Sequence, residues 1–455
     1  MNRTPPPKNN SISNFESRIS NLEFRIPHSP LLLLLAVNLL NFFDRQILAS
    51  IIEPLRHEWQ LTDTELGWLV TAFTLLYAVV GLPLGRLADV WRRNLLLASG
   101  LALWSGLTFL SGLTRNFWQL FAARLGVGIG EASCAPAASS LIGDLVPPEG
   151  RARAMSVFML GLPAGIALSY LVGGAVAQHF GWRAAFFLAG VPGLILAVVI
   201  LFMPEPPRGR AEAVEVGAAR RPGSPVRLVL GIATMRWIIL SGLLHTFVMY
   251  AFTFFLPPLL VRWFGTGVQA AGMASALIVG IVGALGMLAG GWVGDAMRRR
   301  RENGRMLAAA VAMLAAAPAG LGALLLPGDR LVWFVVLQAA AAFLMYAYYP
   351  TVYATIHDVI EPALRGRAMA IYFFAMYLLG ASMGPVATGW LSDLMARRAS
   401  GLAAGPVSEQ FRALGLHQAM YIVPVLCLAL AAVLLTASTT TRKDIAELRR
   451  WMTRQ

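Results

Sequence analysis

Four ionisable residues stand inside long apolar runs of this sequence. Asp44 and Arg45 are adjacent in the first run, whereas Arg124 and Glu131 stand seven residues apart in the fourth. Seven residues make about two turns of a helix, so Arg124 and Glu131 lie on one face, about 10 Å apart. Adjacent residues point about 100° apart, so Asp44 and Arg45 cannot share one partner. The expected pairs are Asp44 with Arg124 and Arg45 with Glu131.

Charges buried in a membrane protein are costly, so they usually pair and face a cavity. Burial disfavours the charged form of a carboxyl group and a neighbouring arginine favours it, so protonation can change with access to water and with substrate. The cluster therefore favours proton coupling. A structural interpretation stays open, because two acids and two bases sum to zero charge and could simply hold two helices together.

A second group of polar and aromatic residues stands in later apolar runs. A histidine titrates near neutrality when unperturbed, yet a single histidine in a membrane helix is more often a packing or substrate-lining residue than a proton carrier. The tyrosines either line a cavity or pack between helices, and both interpretations stay open. The candidate cavity residues are His245, Tyr250, Tyr349, Tyr353 and Tyr377.

The elements that must position these residues are membrane helices. The chain has 455 residues, of which 57% are hydrophobic and 13% charged, whereas soluble domains average about 25% charged residues. A helix needs about 20 apolar residues to cross a hydrocarbon core of about 30 Å. Twelve such runs cover residues 30–54, 65–88, 94–113, 117–146, 155–177, 184–203, 237–261, 269–295, 306–326, 331–357, 369–395 and 419–437. The sequence therefore predicts an all-α polytopic membrane protein with twelve transmembrane helices.

A short motif of glycine, aspartate and paired arginines occurs twice, each time at the end of an apolar run. Its copies are Gly85, Asp89, Arg92 and Arg93, and Gly291, Asp295, Arg298 and Arg299. The aspartate can lie against the N-terminus of a neighbouring helix, and the arginines can bridge to nearby acids. The repeat predicts two pseudo-symmetric six-helix bundles, an arrangement typical of alternating-access transporters.

A stretch rich in proline and charge separates the two halves and has no apolar helical face. The expected divisions are an N-terminal tail at 1–29, a first bundle at 30–203, a linker at 204–230, a second bundle at 231–438 and a C-terminal tail at 439–455. The first apolar run is long and lacks a small-residue cleavage site, so we expect a membrane helix there rather than a cleaved signal peptide.

The net charge of +14 is distributed in a way that argues against nucleic acid as a partner. Arginines concentrate in every second loop, and the positive-inside rule then places both termini in the cytoplasm. The preference for arginine over lysine and the abundance of alanine, leucine and glycine are typical of a bacterial protein, so we expect the inner membrane. The two cysteines, Cys134 and Cys427, lie inside predicted spans, so neither a disulfide framework nor a metal site is expected.

The motifs together resemble those of the major facilitator superfamily, from about residue 30 to residue 440. The repeated loop is similar to that superfamily's signature between spans 2 and 3, and Arg124 to Gly130 is similar to its second motif. Within the superfamily, Asn41 to Arg45, Gly130 to Ala132 and Pro204 to Gly209 resemble the Spinster-type proteins. Ser169-Tyr170 replaces the Gly-Pro expected in the third motif of antiporters, which weakens an inference of antiport.

The resemblance implies that Asp44 and Glu131 couple transport to protons, with Arg45 and Arg124 beside them. It also implies that the repeated loop closes the cytoplasmic side when the outer side is open. The gate residues are then Gly85, Asp89, Arg92, Arg93, Asp295 and Arg299.

We therefore expect a monomeric secondary transporter that is coupled to protons and moves an amphipathic solute such as a lysophospholipid or a sphingoid phosphate. Its partners are then this lipid-like substrate, protons and the bilayer. One alternative is a proton-linked permease for small organic anions or sugar acids, whose carboxylate would bind the same arginines. Another is a non-transporting receptor or scaffold. The sequence has no metal-spaced cluster, phosphate-binding loop or Ser-His-Asp arrangement, so we expect neither an enzyme nor a cofactor.

Overall fold

The computed structural model describes residues 28–146, 148–207, 224–361, 364–401 and 407–452. The regular structure of these residues is helical, and twelve helices are long and apolar enough to cross a membrane. The prediction of twelve spans is confirmed. We number the spans α1 to α12, and a helix that is interrupted keeps one number.

The first bundle contains α1 to α6. Their bounds are α1 His28–Trp59, α2 Asp63–Val90, α3 Arg93–Ser111, α4 Phe117–Glu131 continued by Cys134–Leu145, α5 Pro148–Met159 continued by Gly161–Phe180, and α6 Trp182–Leu201. The interruption of α4 follows directly after Glu131, where the Ser133 hydroxyl donates to the carbonyl of Gly130 at 2.8 Å. Glu131 therefore stands at a local distortion in the middle of a membrane helix.

The second bundle contains α7 to α12, preceded by a short helix, Pro225–Gly231. The bounds are α7 Ala233–Phe264, α8 Val268–Ser275 and Gly283–Arg300 around the π-helical turn Ala276–Val282, α9 Gly304–Leu324, α10 Leu331–Tyr346 and Tyr348–Val359, α11 Arg365–Ala375 and Ser382–Ser400 around the π-helical turn Met376–Ala381, and α12 Glu409–Ala419 and Ile422–Met452. Single π-helical turns are rare and frequently lie at functional sites.

Local sequence explains where two helices of the first bundle begin. A capping box starts α2, in which the Thr62 hydroxyl accepts from the backbone N–H of Glu65 and the Glu65 carboxylate accepts from that of Thr62. The side chain of Asn116 caps α4 by accepting from the backbone N–H of Gln119 at 3.0 Å. These caps fix where α2 and α4 begin.

Glycines allow the helices to approach closely at two places. A Cβ atom on Gly128 of α4 would lie 2.4 Å from the carbonyl oxygen of Phe73 in α2, so a larger residue would push the two helices apart. The halves meet in the same way, since a Cβ atom on Gly272 of α8 would lie 2.4 Å from the carbonyl oxygen of Tyr170 in α5. Small residues at such contacts are typical of packed membrane helices.

The two halves are joined in the middle and at one end of the molecule. Because the chain crosses twelve times, His28 and Met452 lie at the same end, which we call the terminal end. Hydrogen bonds between described residues of the two halves extend from Tyr377 in the middle towards the opposite end. None joins the halves between described residues on the terminal side of Tyr377. The structure is therefore closed at the opposite end.

The segment expected as a C-terminal tail continues α12 as far as Met452. This helix is held in place because the Asp444 carboxylate accepts a 2.7 Å hydrogen bond from the backbone N–H of Thr234. Most of the expected N-terminal tail and linker, residues 1–27 and 208–223, lies outside the described residues.

Candidate functional site

Arg45 of α1 and Glu131 of α4 form an ion pair inside the first bundle. The Nη2 and Nε atoms of Arg45 donate to Glu131 Oε2 at 3.2 and 3.3 Å, and Nη2 also reaches the side-chain oxygen of Asn41 at 3.2 Å. The side chain of Glu131 is 0% exposed and that of Arg45 is 7% exposed. The pairing expected from helical spacing is present for these two residues.

Asp44 and Arg124 do not form the second expected ion pair. Asp44 Oδ2 accepts a 3.4 Å hydrogen bond from the Thr108 hydroxyl of α3, and Oδ1 is buried without a partner among the described residues. The Nε and Nη1 atoms of Arg124 are also buried without a partner there. The expected direct contact is wrong, because Asp44 faces α3 rather than α4.

Aromatic rings surround the guanidinium group of Arg45. Its Cζ atom lies 4.6 Å from the ring centroid of Tyr77, 4.9 Å from that of Phe42, 5.2 Å from that of Phe73 and 5.9 Å from that of Tyr377. The face of an aromatic ring attracts a cation by about 0.5–1 kcal/mol at exposed sites and by more when both are desolvated. The rings stabilise the arginine without neutralising it, so its charge stays available to an anion.

Tyr377 connects this cluster to the second half of the protein. Arg45 Nη1 donates to the Tyr377 hydroxyl at 3.3 Å, and the Tyr377 ring lies 5.0 Å from that of Tyr77. Tyr377 stands in the π-helical turn of α11. Arg45, Tyr77 and Tyr377 are all partly exposed. The cluster therefore borders the space between the halves.

His245 lies inside the second bundle and is fully buried. Its Nε2 atom donates to the backbone carbonyl of Met345 at 3.0 Å. The ring stacks on Tyr348 at 3.9 Å and meets Tyr349 edge-on at 4.8 Å. These contacts are those of a packing residue. Of the expected cavity residues, Tyr250, Tyr349, Tyr353 and Tyr377 are partly exposed, whereas His245 is not.

The first copy of the repeated loop holds the terminal end of the first bundle together through Arg93. This residue begins α3, is 1% exposed and pairs with Asp144 at the end of α4. It also pairs with Glu205, which follows α6, at 3.1 Å, and donates to the carbonyl of Pro206 at 2.7 Å. One arginine thus joins three segments of the bundle.

The other members of the first copy have smaller roles in this conformation. Arg92 is exposed and its Nε atom lies 3.7 Å from a Glu205 oxygen. Gly85 lies in α2, where an added Cβ atom would meet nothing within 4 Å. The side chain of Asp89 lies outside the described part of the structure.

The second copy of the loop forms a corresponding set of ion pairs. Arg298 donates to Asp358 at the end of α10 at 3.1 Å. Arg305 donates to Asp358 at 2.7 Å and to Asp295 at 2.6 Å. Asp295 therefore takes part, as its place in the motif suggests.

Arg299 of the second copy is exposed and makes no side-chain hydrogen bond or ion pair with the described residues. The reason is the length of α8, which continues to Arg300 before α9 begins at Gly304. Arg299 is still in the last turn of α8, and Arg305 takes the place near the helix start that Arg93 has in the first half. The sequence repeat is therefore not matched residue by residue in space.

A network of charges that the sequence analysis did not identify closes the opposite end. Arg262 at the end of α7 donates to Glu53 of α1 at 2.9 Å and pairs with Asp63 of α2 at 2.8 Å, and all three side chains are at most 4% exposed. Arg56 of α1 pairs with Glu409 of α12 at 2.5 Å. These charges stand at the ends of apolar runs, where they look like ordinary loop residues.

The same network includes a carboxylate at a helix N-terminus. Asp393 of α11 accepts hydrogen bonds from the backbone N–H groups of Asp63 and Thr64, at 3.1 and 2.9 Å. The positive end of the helix dipole of α2 favours an acid at this place. We call the whole group the closing network, which consists of Glu53, Arg56, Asp63, Arg262, Asp393 and Glu409.

Three residues at this end also have ligand atoms close together. Glu53, His57 and Glu409 offer oxygen and nitrogen atoms within 4.8 Å of one another. Glu53 is already paired with Arg56 and Arg262, and these cations would repel a metal ion. The arrangement fits an ion-pair network better than a metal centre.

Comparisons with known proteins agree on one family. Residues 34–385 match the Major Facilitator Superfamily. An MFS-type efflux pump of Mycolicibacterium smegmatis is 29% identical over 90% of this chain and 92% of its own length. The sphingosine-1-phosphate transporter SPNS2 of Xenopus tropicalis is 28% identical over 79% of this chain and 72% of its own length.

A solved structure agrees with this family. The crystal structure of a bacterial homolog to the human lysosomal transporter Spinster, in an inward-facing and unoccupied conformation, matches with a TM-score of 0.81 and 26% identity, covering 92% of this chain and 98% of the other. Two bundles of six membrane-spanning helices are an architecture found in membrane transporters. The chain belongs to the Major Facilitator Superfamily and, within it, to the Spinster-type branch, as its motifs predicted.

Proposed function

We propose that this protein is a proton-coupled transporter that moves an amphipathic organic anion by alternating access. The observation that carries the proposal is the position of Arg45. It pairs with Glu131 in one half, donates to Tyr377 in the other half and is partly exposed to the space between them. A cation at this place can bind an anionic substrate and loosen its hold on Glu131.

Proton coupling follows from the charge balance of the cluster. When both acids are ionised, the two acids and two arginines sum to zero charge. An anion bound to Arg45 then leaves an excess negative charge in a poorly hydrated site, and a proton on one of the acids offsets it. Asp44 Oδ1 and Glu131 Oε1 are buried and have no hydrogen-bond partner among the described residues, so either oxygen can take that proton. Proton and anion then favour each other's binding.

The aromatic surroundings favour a substrate with a large apolar part. Tyr250, Tyr349 and Tyr353 of the second half are partly exposed, as are Tyr77 and Tyr377 beside Arg45. An acyl or sphingoid chain can pack against these rings while its phosphate binds Arg45. A lysophospholipid or sphingoid phosphate has this chemistry, and the name of the Xenopus relative supports the choice.

We place the terminal end in the cytoplasm and the protein, as a monomer, in a bacterial inner membrane. The reason is the concentration of arginines in the loops of the terminal end, which the positive-inside rule assigns to the cytoplasmic side. In this orientation the structure is inward-facing and the closing network seals the outer side. The ion pairs of Arg93 and Arg305 then stiffen the cytoplasmic ends that meet when the protein faces outward.

The test is transport by the purified protein in proteoliposomes. We expect a fluorescent lysophospholipid to move to the inner leaflet, where external albumin cannot extract it, and an imposed pH gradient to speed this movement. Arg45→Gln should abolish it, whereas Arg442→Gln, which changes an exposed arginine of α12, should not. Transport of a sugar acid but not of the lysophospholipid would contradict the proposed substrate. Binding without any flux would contradict transport itself.

A further inference from the structure

We propose that the hydroxyl group of Tyr377 transmits the state of the charged cluster to the second half of the protein. The inference rests on the proposed function, because it concerns how proton and anion at that site change the conformation. The four charged side chains of the central site all belong to the first half. Alternating access requires the second half to respond to them. Arg45 donates a hydrogen bond to Tyr377 of the second half, and Tyr250 of α7 interacts with the same guanidinium group.

Arg45 is shared between the two halves. Its Nε and Nη2 atoms donate to Glu131, and its Nη1 atom donates to Tyr377. A hydrogen bond to an ionised carboxylate is roughly twice as strong as one to a neutral group. Protonation of Glu131 therefore weakens the hydrogen bonds between Arg45 and Glu131. The hydrogen bond from Arg45 to Tyr377 is then relatively stronger. The conformational preference of the halves then depends on that proton.

The position of Tyr377 in α11 allows a displacement of this residue to be transmitted to α7. Tyr377 lies in a π-helical turn, Met376–Ala381, which gives the helix a point where it can shift locally. Gly380 in the same turn packs so closely on α7 that an added Cβ atom would lie 2.5 Å from the carbonyl oxygen of Leu243. The far end of α7 carries Arg262 of the closing network. A displacement of Tyr377 is thus passed to the helix that holds the opposite end shut.

The variant that tests this role is Tyr377→Phe, which keeps the ring and removes only the hydroxyl group. The matched control is Tyr346→Phe, since Tyr346 is a buried tyrosine of the second half with no hydrogen bond to Arg45. We expect Tyr377→Phe to lose about tenfold of the pH-gradient-driven rate, which corresponds to about 1.4 kcal/mol. The pH-gradient-driven rate of Tyr346→Phe should stay near that of the wild type, because the hydrogen bond between Arg45 and Tyr377 is retained.

A conformational measurement makes the result independent of flux. Spin labels at Arg153→Cys and Ala296→Cys, two exposed positions at the terminal ends of α5 and α8, report the separation of the halves. We expect the wild-type distance distribution to shift between about pH 5 and pH 8, the Tyr346→Phe protein to shift equally, and the Tyr377→Phe protein not to shift.

The outcomes separate the two proposals. If the wild type and Tyr377→Phe respond equally to pH, the role of Tyr377 is wrong and proton coupling stands. If the wild type shows neither pH-driven flux nor a shift in distance, the proposed coupling is wrong, and the role of Tyr377 with it.

A second inference rests on a different observation, a hydrogen bond between Tyr170 of α5 and α7. Pro257 inside α7 has no backbone N–H, so the carbonyl group of Thr253, four residues earlier, lacks its helical partner. The hydroxyl of Tyr170 donates to this carbonyl at 2.5 Å and accepts from the side chain of Gln46 at 2.5 Å. Tyr170 is fully buried.

We infer that Tyr170 is a latch between the halves that favours the conformation closed at the opposite end. It satisfies the free carbonyl of α7 only while α5 and α7 are in contact. A buried carbonyl without a partner is unfavourable, so separation of the two helices is opposed. Tyr170 also stands where the third motif of antiporters is expected to have proline. The latch gives this difference from the motif a structural explanation.

A double-mutant cycle tests the latch. Tyr170→Phe should shift the ratio of open to closed opposite ends about tenfold towards open. Pro257→Ala restores the N–H that Thr253 lacks, so Tyr170→Phe should then have little further effect. Labels at the exposed positions Arg115→Cys and Asp329→Cys measure the opening. The inference is overturned if Tyr170→Phe shifts this ratio equally in the wild-type and Pro257→Ala proteins, or shifts it in neither.

If the Pro257→Ala protein does not fold, Tyr170→Phe is compared with Tyr346→Phe instead. An equal ratio of open to closed states in these two variants would overturn the inference.

Discussion

Arg262 of the second half donates to both carboxylate oxygens of Glu53 of the first half, each at 2.9 Å. Both side chains are buried, and no comparable bond joins the described residues of the two halves at the terminal end. The pair therefore contributes to the energy difference between the conformation seen here and one open at the opposite end.

Arg262→Gln should shift the protein towards the conformation open at the opposite end. The change removes the arginine that Glu53 and Asp63 share, and loss of one partner of a buried pair is unfavourable. We expect a shift of at least about tenfold in the ratio of states, since about 1.4 kcal/mol suffices. Label distances between positions 115 and 329 provide the measurement. Arg397→Gln, an exposed arginine of the same end, serves as control, and an unchanged distance in Arg262→Gln would show that the network does not hold this end closed.

The arginines at matching places in the repeated loop should differ sharply in their effect on stability. Arg93 is buried between Asp144 and Glu205, so Arg93→Gln should lower the free energy of unfolding by about 3 kcal/mol. Arg299 is exposed, and Arg299→Gln should change it by less than about 0.5 kcal/mol. Thermal unfolding in detergent measures both. Equal losses of stability in the two variants would mean that Arg299 stabilises the second loop as Arg93 stabilises the first, as the sequence repeat implies.

Much of the fold could be predicted from sequence because length and apolarity dictate a membrane helix. The ion pair of Arg45 with Glu131 also followed from the helical period. The expected contact of Asp44 with Arg124 was wrong, because a helix has several neighbours and the spacing does not tell which one a residue faces. Here Asp44 faces Thr108 of α3.

Two other features could not be predicted from the sequence, for physical reasons. The choice of Arg305 rather than Arg299 depends on where α8 ends, and a helix end is less clearly marked in sequence than a helix centre. The closing network joins residues that are far apart in the chain, such as Arg56 and Glu409. Each of them looks like a charge in a loop until the folded chain brings them together.

Topology can be tested with single cysteines at the two ends. The native Cys134 and Cys427 are buried, so background labelling should be low. Ala296→Cys at the terminal end should react with a membrane-impermeant maleimide only after cells are opened, and Arg115→Cys at the opposite end should react in intact cells. Reaction of Ala296→Cys in intact cells would reverse the orientation proposed here.

His245 should contribute to packing rather than to proton coupling. Its ring is stacked on Tyr348 and its Nε2 atom donates to the Met345 carbonyl, with no acid among its described contacts. His245→Gln retains a donor but loses the stack, so it should lower thermal stability and leave the pH dependence of flux unchanged. A flux that no longer responds to pH in this variant would instead assign His245 to the coupling mechanism.

The most direct test of proton coupling is pH-gradient-driven transport by the Asp44→Asn variant. The change keeps the shape of the side chain and its hydrogen bond with Thr108, but removes the group that can take up a proton. Asp329→Asn, an exposed acid in the loop before α10, is the matched control. We predict that Asp44→Asn still exchanges substrate without a gradient, while its accumulation of substrate no longer responds to pH and that of Asp329→Asn does. Undiminished pH-driven accumulation by Asp44→Asn would contradict the coupling role of Asp44 and leave Glu131 as the other acid of the cluster that can take up the proton.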